Sequence, residues 1–299
     1  MRRIVASAIS KISPLKKSKR LTLGLNKIFL KLGFNPIVQT TLKDGSKYIV
    51  DLRSFEYQAF YFKEYDSPLL NPLKLLLKSN STVIDVGANI GFYSVALGRR
   101  MREINSKGKI YAFEPCPSNY QRLKENIKLN DLDSTLVNTF KFGLSDKEGK
   151  STLTLRQDFK GGSETGNAAI PTSKEFDKKW TYKEIKIDLK KFDDIWIDIG
   201  SDNESIDIIK IDIEGHEDFF LRGGINLIKE HRPIMLMEVA KPYYESRGVD
   251  LENIFSECIP EKYVLLRRDK YEKWIKSNIN QCNKIDDIFW TPLEKLEET

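Results

Sequence analysis

Apolar residues in this chain fall into short unbroken runs separated by stretches of helical spacing, and that rhythm sets the expected architecture. Val83, Ile84 and Val86 are β-branched and lack the alternation of a strand wetted on one face. They are expected to form a strand buried on both sides, as in a parallel sheet covered by helices. Ile110 to Phe113, Ile206 to Ile211 and Ile234 to Val239 repeat this character, and a further strand falls near Leu136 to Phe142. Between the first two strands a helix is expected from Phe92 towards Met101, followed by a turn at Lys107-Gly108-Lys109. Pro115 and Pro117 then stop a strand, and Ser118 or Asn119 caps a helix to about Asn130.

Upstream, Asp44-Gly45 between Val38–Thr41 and Tyr48–Val50 predicts a hairpin. An aromatic stretch, Phe55 to Phe62, and a helix after Pro72 lead into the first buried strand. Downstream, Ser151 to Arg156 and Lys183 to Leu189 read as strands flanking a long connection at about 156–182 that contains Gly161 to Asn167. A glycine-rich connection of that length inside a compact domain is functional or disordered, and here it would close over a ligand. The expected organisation is an N-terminal arm over 1–45, a cap over 46–80 and an α/β domain over 81–299.

In such sheets ligands bind at the carboxyl ends of the strands. The first buried strand ends in Asp85, then Gly87, Ala88, Asn89, Gly91 and Phe92 lead into a helix. The glycines allow a tight turn and a close backbone approach. A nicotinamide site would want G-x-G-x-x-G, but Asn89 and Phe92 stand where its second and third glycines belong. The loop better suits a nucleoside cofactor without a pyrophosphate, S-adenosylmethionine being the common one, with Asp85 facing the ammonium of its methionine part. Glu114 ends the next strand roughly 20 residues on, where a carboxylate accepts both ribose hydroxyls, with Pro115 beside it. Ser145 and Asp146, after Gly143-Leu144, would lie near the adenine through a backbone contact, although Asp146 also suits the start of a turn.

The densest polar group follows Ile211. Asp212, Glu214 and His216 bring two carboxylates and an imidazole to the rim expected beside the cofactor's reactive end, where a hydroxyl needs a proton acceptor. Glu238 ends the next strand at the same rim. A divalent ion held by Asp212, Glu214 and Glu238 is a variant of this reading, since hard oxygen ligands suit magnesium. Glu217 and Asp218 suit the start of the next helix.

Composition changes the picture in one place. The 299 residues are 40% hydrophobic and 31% charged with a net charge of +6, enough for a full core and without a membrane-length apolar run. The basicity is concentrated in the arm. No acidic residue precedes Asp44, while Arg2, Arg3, Lys11, Lys16, Lys17, Lys19, Arg20, Lys27, Lys31 and Lys43 do. Ile4, Val5, Ile9 and Ile12, then Leu21, Leu25, Ile28, Phe29 and Leu32, recur at helical spacing around Pro14. Such an arm packs on the domain with its charges solvated, lies on an anionic membrane through residues 1–35, or binds nucleic acid. Lys11 interrupts the apolar stretch and no A-x-A-like site follows, which argues against a cleaved signal peptide. Three cysteines without metal-ligand spacing fit a reduced, cytoplasmic setting, peripheral at the inner membrane surface if the arm binds lipid.

In order, VIDVGANIGFYS (Val83 to Ser94), AFEP (Ala112 to Pro115), GLSD (Gly143 to Asp146), IDIIKIDIEGHE (Ile206 to Glu217) and RPIMLMEV (Arg232 to Val239) resemble the FkbM family of S-adenosylmethionine-dependent methyltransferases. The resemblance implies the class I methyltransferase fold: a Rossmann-like, seven-stranded, mostly parallel sheet with helices on both faces and a terminal antiparallel strand. Tyr263 to Arg267 and Ile288 to Thr291 are the candidates for its last strands. It implies O-methylation of a hydroxyl-bearing acceptor, often a sugar, glycan or natural product. It makes Asp85, Gly87, Asn89, Gly91 and Glu114 cofactor residues, and places Asp212, Glu214 and Glu217 in the family's acidic motif. Two alternatives from other classes are an RNA methyltransferase using the basic arm and a non-catalytic cofactor-binding or membrane-associated module. Nucleic acid is disfavoured because no D/N-P-P-Y/F run exists for amino-group methylation.

Overall fold

The computed structural model describes residues 31–54, 57, 61, 68–157, 168–169, 181–200 and 205–298. Positions 1–30 of the basic arm, most of the aromatic stretch after Phe55 and most of the connection at 156–182 lie outside these residues. A hairpin comes first: β1 (Ile37–Thr41) and β2 (Lys47–Asp51) pair antiparallel around Gly45, which takes φ +82°. The expected boundary at position 45 falls in this turn. Its edge is tied to the body by two buried asparagines. The Ile49 N–H donates to Asn126 Oδ1 (2.7 Å), and the Lys47 N–H donates to Asn130 Oδ1 (2.9 Å).

Strand and helix then alternate: α1 (Leu70–Leu76), β3 (Thr82–Val86), α2 (Phe92–Glu103), β4 (Lys109–Phe113), α3 (Pro117–Leu129) and β5 (Val137–Phe140). A smaller sheet interrupts the alternation, made of β6 (Gly143–Ser145), β7 (Gly149–Gln157), β8 (Ala168–Ala169) and β9 (Thr181–Lys191). The chain continues through α4 (Phe192–Ile199), β10 (Ile206–Ile211), α5 (Glu217–Gly223), α6 (Ile225–His231), β11 (Ile234–Ala240), α7 (Lys241–Glu245) and α8 (Leu251–Cys258). It ends with β12 (Tyr263–Arg268), β13 (Trp274–Ser277) and β14 (Ile285–Pro292).

The main sheet has the order β13-β12-β14-β11-β10-β3-β4-β5. From β5 to β11 the strands are parallel, and β14 enters antiparallel between β11 and β12. Every residue of β3 is buried, as its unalternating apolar sequence predicts. Val83, Ile208 and Leu236 face a core shared with the hairpin, α1 and α2, while Ile84, Ile209 and Met235 face a core shared with α4, α5 and α8.

Two expectations about strands are corrected. The main sheet has eight strands rather than seven, because β12 turns back through Asp269, whose carboxylate accepts the N–H groups of Tyr271 (2.8 Å) and Lys273 (2.9 Å). The added strand β13 packs mainly through Trp274, edge-on to Phe289, and its other residues are largely exposed. It therefore carries no apolar period to read. The strand expected over Leu136 to Phe142 stops at Phe140, and Gly143–Ser145 leaves to pair with β9 in the smaller sheet.

Candidate active site

The strand order changes direction between β3 and β10, and there the carboxyl ends of β3, β4, β10 and β11 form one rim. On β3, Asp85 stands in register with Lys210 of β10. Both are charged and almost fully buried, with side chains 1% and 5% exposed and 3.3 Å between Nζ and Oδ1. Lys210 Nζ also donates to the carbonyls of Gly87 (2.7 Å) and Val86 (3.3 Å), and Asp212 Oδ2 is 3.8 Å away. Burial works against the ammonium, but Asp85, Asp212 and Glu114 outweigh it and keep its affinity for the proton above the ordinary lysine range. Asp85 Oδ2 also accepts from the Ser94 hydroxyl. Asp85 was expected to face a cofactor ammonium; the structure supplies it with an internal one.

The glycine loop is built from positive φ angles: Gly87 at +75°, Asn89 at +50° and Gly91 at +89°. A Cβ on Gly87 would stand 2.0 Å from the Asp212 carbonyl oxygen, and one on Gly91 2.6 Å from Leu123. The close approach that these glycines allow is thus made by the protein itself. The N–H groups of Gly87 and Ala88 donate to Phe113 O, which joins the loop to β4. Ala88 and Phe92 are buried in the core, and the Tyr57 hydroxyl donates to Asn89 Oδ1 (2.7 Å).

Glu114, at the end of β4, is buried and accepts one backbone N–H on each oxygen, from Asn89 and Cys116 (both 2.8 Å). Burial pushes its carboxyl up to about 7 against those two hydrogen bonds. Pro115 is half-buried against the position of Gly143.

The expected catalytic group divides in two. Asp212 and Glu214 stay at the rim, and the Asp212 side chain is 42% exposed. Glu214, at φ +55°, accepts from the Tyr243 hydroxyl (2.8 Å). Burial and the nearby Asp212 hold the Glu214 and Glu238 carboxyls well above the usual range. Glu238 is paired across the sheet with Asp287, which burial and Asp212 push up to about 6. Among the described residues, no three carboxylate, histidine or cysteine side chains form a cluster that would hold a metal ion.

His216 turns the other way. Its ring is buried, lies on Phe219 at 4.3 Å, and its Nε2 is 3.0 Å from Ser145 Oγ. Because that hydroxyl donates to Asp146 (3.1 Å), Nε2 is assigned as the imidazole donor, leaving the buried Nδ1 bare. Burial, with help from Arg247, lowers the imidazole to about 4 against Asp218 and Asp146. The structure therefore groups His216 with Ser145 and Asp146 rather than with Asp212.

Glu217 was read only as a helix-start residue and as part of the acidic motif. Its buried carboxylate accepts from the N–H groups of Ile213 and Gly215 and from the Tyr244 hydroxyl, clamping the turn that carries Glu214. Lys210 had one sequence signal, a basic residue in a strand otherwise made of apolar residues and Asp207; Tyr243, Tyr244 and Asp287 had none.

This sheet order, the loop at the switch point and the acidic end of β4 define a Rossmann-like methyltransferase fold. A family model described as the methyltransferase FkbM domain matches residues 85–271, and the chain belongs to that family. It is similar to methyltransferase sdnD of Sordaria araneosa, 28% identical over 216 residues covering 64% of this chain and 82% of that protein. It is also similar to the 2-O-methyltransferase NoeI of Sinorhizobium fredii (strain NBRC 101917 / NGR234), 26% identical over 180 residues, or 58% and 70% of the two chains. Among solved structures, the methyltransferase FkbM from Methylobacillus flagellatus KT aligns with a TM-score of 0.43 at 18% identity over 81% of this chain. The chain spans 55% of that protein's length.

Proposed function

We propose that the protein transfers a methyl group from S-adenosylmethionine to a hydroxyl of a sugar, glycan or natural-product acceptor. The observation that carries this reading is the contact between two loops. The turn bearing Asp212 and Glu214 lies against the glycine loop at Gly87, so a half-exposed carboxylate stands beside the expected donor site.

The residues fit the cofactor. Each Glu114 oxygen uses one lone pair on a backbone N–H, leaving one apiece for the two hydroxyl donors of a ribose. The buried Nδ1 of His216, whose Nε2 is on Ser145, is an unused acceptor near the expected base-side loop. When bound, the sulfonium supplies an already activated methyl group. The protein's own task is to orient the acceptor oxygen and take up its proton. Asp212 is the carboxylate assigned that role, and Glu214, aligned by Tyr243, orients the hydroxyl with it. The reading of 2-O-methyltransferase NoeI as a relative supports a hydroxyl acceptor.

In this reading residues 81–299 form the methyltransferase domain and 46–80 a cap over it, with Tyr57 reaching Asn89 from the cap. The test is a screen for transfer of labelled methyl from S-adenosylmethionine across neutral glycans, lipids, natural-product alcohols and RNA. Label on a hydroxyl, lost in Asp212→Asn with cofactor binding intact, is the expected result. Label confined to RNA, or turnover unchanged from wild type in both Asp212→Asn and His216→Ala, would overturn it.

A further inference from the structure

Lys210 is a buried cation for which the proposed reaction has no direct use. It sits in the middle of the rim, in a strand otherwise made of apolar residues and Asp207. An ammonium in the sheet interior is costly to desolvate and persists only where hydrogen bonds and opposite charges surround it. Its four hydrogen-bond and ion-pair partners come from two separate segments. Val86 O, Gly87 O and Asp85 belong to β3 and the glycine loop; Asp212 belongs to the turn after β10. The shortest contact is to the Gly87 carbonyl, 2.7 Å, and not to a carboxylate. The Tyr93 ring lies 5.4 Å from the ammonium on another side.

We propose that Lys210 is the positioning residue of this site: its ammonium ties the carbonyl side of the glycine loop to the Asp212 turn, so that the donor site and the proton acceptor are set relative to each other by one cation. The inference rests on the cofactor reading above. It differs from a purely structural role, in which Lys210 would only neutralise Asp85. A counter-ion becomes dispensable when its buried partner is neutralised with it, because replacing both members of a buried pair leaves no lone charge behind. The tie to Gly87 is not dispensable in that way, since the carbonyl loses its donor in either background.

The experiment compares the full-length wild type, Lys210→Met and the double variant Asp85→Asn/Lys210→Met. Binding of S-adenosylhomocysteine is measured by calorimetry, with thermal melts and amide hydrogen exchange in parallel. Lys210→Met alone leaves Asp85 buried without its cation and is expected to melt lower. The double variant is expected to recover most of the melting temperature yet bind S-adenosylhomocysteine roughly tenfold to a hundredfold more weakly than wild type. It should also lose amide protection both in residues 86–92 and in residues 211–216. Wild-type affinity and protection in the recovered double variant would show that Lys210 is only the counter-ion of Asp85, and the proposal falls. If the double variant does not recover, Lys210→Gln, which keeps an N–H donor for Gly87, provides the second comparison. Affinity nearer to wild type than that of Lys210→Met supports the tie, and equal affinities overturn it. A wild type that fails to bind S-adenosylhomocysteine sinks the cofactor reading itself, a result distinct from loss of binding in the variants alone.

Discussion

The carbonyl oxygen of Asp212 occupies the space that a side chain on Gly87 would need, 2.0 Å from an ideal Cβ. The loop after β3 and the turn after β10 are therefore in backbone contact, and Gly87 also sits at φ +75°. Gly87→Ala combines left-handed strain with overpacking and is expected to cost roughly 2–5 kcal/mol in urea unfolding. Gly149→Ala, with nothing within 4 Å and an ordinary φ, is the control and should stay within about 0.5 kcal/mol. Equal melting of the two variants would refute the contact.

Under the proposed function, Glu114 links stability to cofactor binding through pH. Its carboxyl is raised to about 7, so the stability it contributes is fully present below the unfolded carboxyl value near 4.5 and is lost as pH rises through 7. The loss is on the order of 3 kcal/mol. Unfolding measured from pH 4.5 to 8 should therefore slope less steeply downward in Glu114→Gln than in wild type. Ribose hydroxyls prefer the ionised acceptor, so S-adenosylhomocysteine affinity should rise with pH through about 7 in wild type and stay flat in the variant. A flat wild-type profile contradicts the ribose assignment.

His216 acts in the opposite direction. With its imidazole lowered to about 4, the stability it contributes is present above the unfolded value near 6.5 and is lost as pH falls through 4. His216→Asn should flatten the acid limb of the unfolding curve between pH 6.5 and 4 by on the order of 3 kcal/mol. An unchanged acid limb would mean that the ring is not held neutral.

Asp212→Asn leaves the half-exposed position filled and removes the proposed proton acceptor. Turnover on the acceptor found by the methyl-transfer screen is expected to fall roughly a hundredfold or more, with S-adenosylhomocysteine affinity within about threefold of wild type. A parallel loss of affinity would move Asp212 from the proton-accepting role to cofactor binding.

Asn126→Ala should release the hairpin and loosen the glycine loop together, because Asn126 accepts the Ile49 N–H and donates to the Ile90 carbonyl (2.8 Å). The buried Ile90 carbonyl and the partly buried Ile49 N–H then lose their partners, at a cost of roughly 2–4 kcal/mol by thermal unfolding. Full stability in this variant would show that the hairpin is not anchored through α3.

Local patterns carried much of this fold. β3, β4, β10 and β11 were legible because strands covered on both faces must be apolar throughout, and Asp85, Glu114 and Asp212 because a charge ending such a run marks its carboxyl end. β13 was not legible, since one tryptophan on an exposed edge leaves no period. The helical spacing of the arm, apart from Leu32, falls in residues outside those described. The chain by itself determined the alternating architecture and the loops at its rim, because burial and turn chemistry act over a few neighbouring residues. Only the tertiary structure decided that Asp85 has Lys210 as its cation, that Gly87 yields to Asp212, and that His216 faces Ser145. Those pairings join residues far apart in the chain: the pairing of β3 with β10 brings the first two together, and the packing of α5 at Gly223 against Ser145 brings the third.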